Sequence, residues 1–235
     1  MAMTLAPLLA SHPETVLEVG SGSGEASRCL QETEGIKIAV GIDSDSRSVL
    51  HCVRSGNPAS FARADADVGL PFKSESIDGL LTSEVYEHFH HPEVFFAEAH
   101  RVLRPNGLLV LTTPNLESLV LMALRRLPRV WAQRIVLRGG PRQRSLHPEF
   151  FGTPLAEDGH SHQREGSTVR EMERLAAQFG FRQVRGTTWG IPFATDPGLA
   201  KLPRPVWEFL LGHFHTLGVG LRHIFVVWVR LPTRD

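Results

Sequence analysis

Two groups of residues in this chain have the types and spacing that chemistry requires. The first is Glu18, Gly20, Gly22 and Gly24, within the stretch Thr15 to Ser27, with Asp43 and Asp65 downstream. Glycines at alternate positions let a backbone take positive φ angles and approach a ligand with no Cβ in the way. An apolar run (Val16, Leu17, Val19) precedes them, and a helix start follows, whose free N–H groups and positive dipole end face the turn. Such a unit is a nucleotide cradle. Asp43 closes a second apolar run roughly 20 residues beyond the turn, where a carboxylate accepts both hydroxyls of a ribose. The second group is Glu84, Glu87 and His88. At i, i+3 and i+4 they share one face if the segment is helical, and they are suited to serve as a general base or to hold a metal.

The carboxylates bear on which nucleotide is meant. Glu18, beside the turn, repels a pyrophosphate and favours an amino group or a sulfonium. Glu25 stands where a dinucleotide fingerprint wants a small residue, and the glycine spacing is G-x-G-x-G. S-adenosylmethionine carries an amino group, a sulfonium and a ribose. The alternative is an NAD-type or purely structural turn.

The elements that must position these residues alternate. Strands are expected at 15–19, 36–42, 59–64, 77–82 and 108–112, with helices at 25–34, 46–54 and 92–103 between them, and a turn at Pro105-Asn106-Gly107. This rhythm indicates a parallel sheet covered on both faces. A helix capped by Ser167 runs through Phe179, a strand covers 182–189, and a last apolar strand covers 223–231 at an antiparallel edge. The 235 residues suit one domain (1–235) with a lid-like insertion at about 116–166 and a second insertion at about 190–222. The first insertion opens on an apolar helix, 116–127, and carries seven arginines between 125 and 144 with no acid among them.

Formal net charge is zero, so no global field draws nucleic acid. Cys29 and Cys52, the only cysteines, fit no metal spacing, which suits a reducing compartment. The N-terminal run lacks a basic segment and does not resemble a signal peptide, and no apolar stretch reaches the ~20 residues that span a bilayer. A cytoplasmic location is the expectation.

Glu18-Val-Gly-Ser-Gly-Ser-Gly24, Asp43, Asp65-Ala66 ahead of Leu70-Pro71-Phe72, Ser83-Glu-Val-Tyr-Glu-His88 and Arg101-Val-Leu-Arg-Pro-Asn-Gly107 resemble class I S-adenosylmethionine-dependent methyltransferases (type 11/23), over roughly residues 13 to 115. The resemblance implies a Rossmann-like seven-stranded α/β sheet of order 3-2-1-4-5-7-6, with strand 7 antiparallel and helices on both faces. It also implies roles. Gly20, Gly22 and Gly24, with Ser21, approach the cofactor, and Glu18 lies near its methionine amino group. Asp43, with Ser44, binds the ribose, Asp65 and Ala66 take the adenine, and Ser83 borders the methionine. E-x-x-E-H at Glu84, Glu87 and His88 is similar to ubiquinone-type O-methyltransferases and to enzymes that 2′-O-methylate small RNAs, where it helps hold a divalent cation; in other members it caps and packs a loop. Gly159-His-Ser-His-Gln-Arg-Glu165 resembles an element of methyltransferases acting on glycans and lipids, which makes His162, with His160, a candidate base or metal ligand beside His88 and Glu87. Asn115, in Thr113-Pro-Asn115, is expected to wall the acceptor pocket.

These features imply methyl transfer to oxygen of a small-molecule or lipid- or glycan-linked acceptor. The basic, apolar segment 116–144 suggests peripheral membrane contact. The alternatives are a metal-dependent RNA 2′-O-methyltransferase, disfavoured by the neutral charge and scarce aromatics, and a cofactor-binding scaffold without activity.

Overall fold

Apolar runs buried on both sides need a sheet covered on both faces. The computed structural model describes residues 2–115, 126, 128, 131, 167–189 and 223–232. Its strands are β1 Thr15–Val19, β2 Ile38–Asp43, β3 Ser60–Arg63, β4 Ile77–Ser83, β5 Leu103–Pro114, β6 Phe181–Trp189 and β7 His223–Arg230. They form one seven-stranded sheet of order β3-β2-β1-β4-β5-β7-β6. The first five strands are parallel, and β7 runs antiparallel to β5 and β6. This is the Rossmann-like order expected from the sequence.

Alternation along the strands divides the core. Val16, Leu81, Val110, Phe225 and Val227 face one way, against Leu5 and Leu8 of helix α1 (Ala2–Ala10) and Leu30 of α2 (Glu25–Gln31). Leu17, Leu80, Leu111, Val226 and Trp228 face the other way, against Phe95 and Phe96 of α4 (Pro92–Val102) and Met172 of α5 (Val169–Gln178). Each large side chain so buried contributes about 1.5–3 kcal/mol. Helix α3 (Ser46–Arg54) buries only Cys52 and is capped by Asp45, whose side chain accepts from the Arg47 N–H. The first helix is not evident in the sequence, because nine residues containing Pro7 carry a weak helical signal; the buried Leu5 and Leu8 hold it.

Two local differences from the sequence reading follow from hydrogen bonding. The expected Pro105–Gly107 turn lies inside β5. Ile77 pairs with Leu103 and Gly79 with Leu108, and the register shift between them is an irregularity with Asn106 at φ 67. The cap of α5 is Thr168, whose hydroxyl accepts from the Glu171 N–H, rather than Ser167, which bridges to Asn115.

The crossover from β3 to β4, residues 64–76, contains no helix. It is tied down from α4 instead. Arg101 binds Glu98 through both carboxylate oxygens and donates to the Leu70 and Phe72 carbonyls, while the Leu70 N–H donates to Glu98. These bonds from Arg101, working against burial, hold the Glu98 carboxyl below its ordinary range.

The chain leaves the described sheet at Asn115 and Trp189 and re-enters it at Ser167 and His223. Asn115 bridges Ser167, and Trp189 and Pro114 both pair with His223. All four points lie at the C-terminal edge of β5. The two insertions, and the helix expected over 116–127, lie outside the described residues apart from 126, 128 and 131.

Gly41 in β2 tests how closely α2 and its turn sit on the sheet. A Cβ there would lie 2.7 Å from the Phe61 ring and 2.8 Å from Ser21 Cβ. Gly41→Ala should therefore cost about 1–3 kcal/mol in urea denaturation; an unchanged midpoint would show that the ring and turn shift freely.

Candidate functional site

The turn from β1 to α2 is fixed by the end of β2. The Gly20 and Ser21 N–H groups both donate to the Ile42 carbonyl (2.8 and 2.9 Å), the Gly22 N–H donates to Asp43 Oδ2 (2.9 Å), and the Gly24 N–H donates to the Ser21 carbonyl (2.7 Å). Gly20 and Gly24 both have φ of 74, a region that side chains other than glycine rarely take. At Gly20 the space a Cβ would fill is taken by Val85, 2.2 Å from that position. Unlike a phosphate-binding loop, which offers its amides to a ligand, this turn has already given four of them to the protein.

Beside the turn, at the C-terminal ends of β1, β2 and β4, is a cleft of about 400 Å³. Gly20, Gly22, Asp43, Ser44, Asp65, Ala66 and Ser83 border it, as do Glu84 and His88. Seven of the ten residues expected at the cofactor are thus brought together. Asp43 uses Oδ2 for Gly22 and Oδ1 for the Asp45 N–H (2.8 Å), which leaves each oxygen capacity for a further donor. Ser83 Oγ and Thr112 Oγ1 share a hydrogen bond of 2.8 Å.

Glu18, Ser21 and Gly24 do not border the cleft. Strand alternation turns Glu18 toward α2, where its Oε2 accepts from the Ser27 N–H (2.8 Å) and, at shorter range, from the Ser27 hydroxyl. Burial, partly offset by these Ser27 bonds, raises its pKa to about 7. Glu18 therefore pins the start of α2 from beneath. Ser21 is buried with its Cβ toward Gly41, and Gly24 packs on Cys52, Asn57 and Phe61.

The segment after β4 is not an α-helix. Glu84 lies at φ 56, and a single 3-10 turn, Tyr86–His88, follows. The i, i+3, i+4 face expected for Glu84, Glu87 and His88 therefore does not form. Glu87 is 2% exposed, outside the cleft lining, and accepts from Thr113 Oγ1 at 3.1 Å. Burial first, and then the Glu84 charge, raise its pKa. Among the described residues no three His, Cys, Asp or Glu side chains are gathered as a metal ion needs, so the E-x-x-E-H residues as placed do not fit a divalent cation. His160 and His162 lie outside the described residues. Asn115 is 1% exposed and bridged to Ser167, at the edge where both insertions attach.

The cleft also has lining residues that no motif singled out: Ser48, Asp67, Val85 and Phe89. Asp67 binds the N–H groups of His90 and His91 and the His90 ring. Burial opposes its charge, but these bonds outweigh burial and lower its pKa. Its position two residues after Asp65 was the available signal. In all, Asp43, Asp65, Asp67 and Glu84 border the cleft, and no Lys or Arg does among the described residues, so this lining favours a cation. No helix among the described residues is long and apolar enough to cross a membrane.

Residues 17–111 match the family described as a methyltransferase domain. An uncharacterized methyltransferase of Mycobacterium tuberculosis is 35% identical over 109 residues, 44% of this chain and 42% of that protein. One from Mycobacterium marinum is 37% identical over 98 residues, 42% of this chain and 38% of that protein. The chain thus spans about two fifths of the length of these curated relatives. Among solved structures, an S-adenosylmethionine-dependent methyltransferase from Mesorhizobium loti superposes with a TM-score of 0.60 at 17% identity, covering 97% of this chain and 98% of that one, a likeness of fold. The matched span, residues 17–111, contains the glycine turn, Asp43, Asp65 and the segment after β4, and over it this chain is similar to methyltransferase domains, with a fold shared by solved S-adenosylmethionine-dependent methyltransferases.

Proposed function

We propose that this protein transfers the methyl group of S-adenosylmethionine to an oxygen of a small-molecule or lipid- or glycan-linked acceptor. The observation that carries the cofactor half is the acidic cleft beside a glycine turn that gives four of its amides to the protein. A cationic ligand with a ribose matches it better than a pyrophosphate, which the carboxylates repel. The acceptor half rests on the attachment of both insertions at the C-terminal edge of β5, next to Ser83 and Thr112. Oxygen as the nucleophile, the acceptor class, and a cytoplasmic, peripheral-membrane setting are carried over from the sequence.

In this reading Asp43 accepts the ribose hydroxyls, and Asp65, with the Ala66 N–H, takes the adenine. When bound, S-adenosylmethionine supplies a methyl carbon activated by its sulfonium. Holding it, Asp43, Asp65 and Ala66 would present that carbon to the acceptor oxygen, with S-adenosylhomocysteine as the group displaced. The chain's contribution is to orient the acceptor, exclude water and take the hydroxyl proton. His88, on the cleft wall, is the residue assigned that proton, with His162 the second candidate. Glu87, buried on Thr113, is a prop for the wall.

Three outcomes follow. Calorimetry should detect S-adenosylmethionine binding by the wild type, weakened at least tenfold in Asp43→Ala (about 1.4 kcal/mol); no binding by the wild type would refute the cofactor assignment. Against an acceptor found by transfer of labelled methyl from cell extract, His88→Gln should lower kcat by about 10²-fold with cofactor affinity kept. An undiminished kcat there, with a loss in His162→Gln, would move the base to His162. The third outcome concerns stability. Because the folded protein holds the Glu87 proton more tightly than the unfolded chain, the contribution of Glu87 to stability is greatest in acid and falls as pH rises from the ordinary carboxyl range through the raised value. Glu87→Gln should flatten that fall in thermal melts and be the more stable form in mild alkali.

A further inference from the structure

We infer that Asp67 is the positioning residue of the adenosine half of the cleft, acting as a tie between the wall that carries Asp65 and Ala66 and the wall that carries His88 and Phe89. The inference rests on the cofactor reading above. Its starting point is the missing helix between β3 and β4. Residues 64–76 form no helix; the Val68 and Gly69 N–H groups close a local turn on the Asp65 carbonyl, and the placement of that turn against the rest of the protein depends on bonds to other elements. Arg101 and Glu98 secure its far end at Leu70 and Phe72. Asp67 secures the near end, at the cleft itself.

The geometry of that near end is specific. Asp67 Oδ1 accepts from the His91 N–H at 2.9 Å, and Oδ2 accepts from the His90 N–H at 3.0 Å and from His90 Nδ1 at 3.1 Å. The Asp67 side chain is 15% exposed, while that of His90 is 59% exposed. The carboxylate thus sits inside the junction, and two of its three donors are backbone amides that cannot rotate away. The Asp67 N–H in turn donates to Asp65 Oδ1 at 3.0 Å. One residue therefore orients the Asp65 carboxylate and sets how far the opposite wall stands from it. His90 and His91 directly follow the cleft residues His88 and Phe89 and lead into Pro92 of α4. Without the tie, the gap between the walls is no longer fixed at the width of a purine.

The test compares wild type, Asp67→Ala, Asp67→Asn and His90→Ala by calorimetry with S-adenosylmethionine and with 5′-methylthioadenosine, which keeps the adenosine half and lacks the amino acid. Asp67→Ala should weaken both ligands by the same factor, roughly tenfold or more. The loss should appear in the KM for the cofactor by a larger factor than in kcat. Asp67→Asn retains one acceptor oxygen and should fall between, while His90→Ala removes only the ring donor and should stay within about threefold of wild type. Asp67→Asn carries the test if Asp67→Ala does not fold. Unchanged affinity in both Asp67 variants, or a loss confined to S-adenosylmethionine with methylthioadenosine unaffected, would overturn the inference. Wild type that binds neither ligand would instead overturn the cofactor reading.

Discussion

The rest of the site depends on one constraint: the end of β2 holds the turn between β1 and α2. The Ile42 carbonyl takes two of the turn's N–H groups and Asp43 takes a third. This capture fixes the glycine backbone in a conformation that a side chain at Gly20 or Gly24 would oppose. It also aims Asp43 into the cleft with half its acceptor capacity unused. Glu18 completes the arrangement from below, since its bonds to Ser27 anchor the first turn of α2. A structural bond and a group that borders the cleft are thus the same carboxylate, so the turn cannot loosen without the ribose site proposed at Asp43 loosening as well.

The electrostatic character of the cleft follows from that economy of donors. With four of the turn's amides engaged by the protein, the described residues that meet a ligand at the cleft include the acids Asp43, Asp65, Asp67 and Glu84. Asp67 keeps its charge because His90 and His91 supply donors against burial, whereas Glu87, deeper in the wall, is driven toward its neutral form by burial and the Glu84 charge despite the bond from the Thr113 hydroxyl. Two carboxylates on neighbouring loops thereby differ in kind, one charged at the cleft and one buried in the wall.

Much of this was legible from residue order. Alternating apolar runs, the glycine spacing and the acids at 43 and 65 define a sheet and a turn through local rules, and the strand order followed from the family resemblance. What the sequence concealed was set by contacts between distant residues. The direction of Glu18 depends on strand alternation relative to α2. The failure of Glu84, Glu87 and His88 to share a face depends on a left-handed residue and a 3-10 turn. His90 and His91, which read as scattered, matter only because a loop 23 and 24 residues earlier brings Asp67 to them. The absence of a helix between β3 and β4 was visible; its replacement by Arg101 and Asp67 was not.

The pairing of Asn115 with Ser167 and of Trp189 with His223 has an evolutionary consequence. Where a chain departs and returns at adjacent hydrogen-bonded points, the entropy of closing the intervening loop grows only slowly with its length. Segments at those points can lengthen, shorten or be exchanged with little effect on the cleft at the ends of β1, β2 and β4. Selection is then able to revise one edge of the protein while the cleft remains as it is, and proteins built this way can diverge in what they recognise long before they diverge in fold.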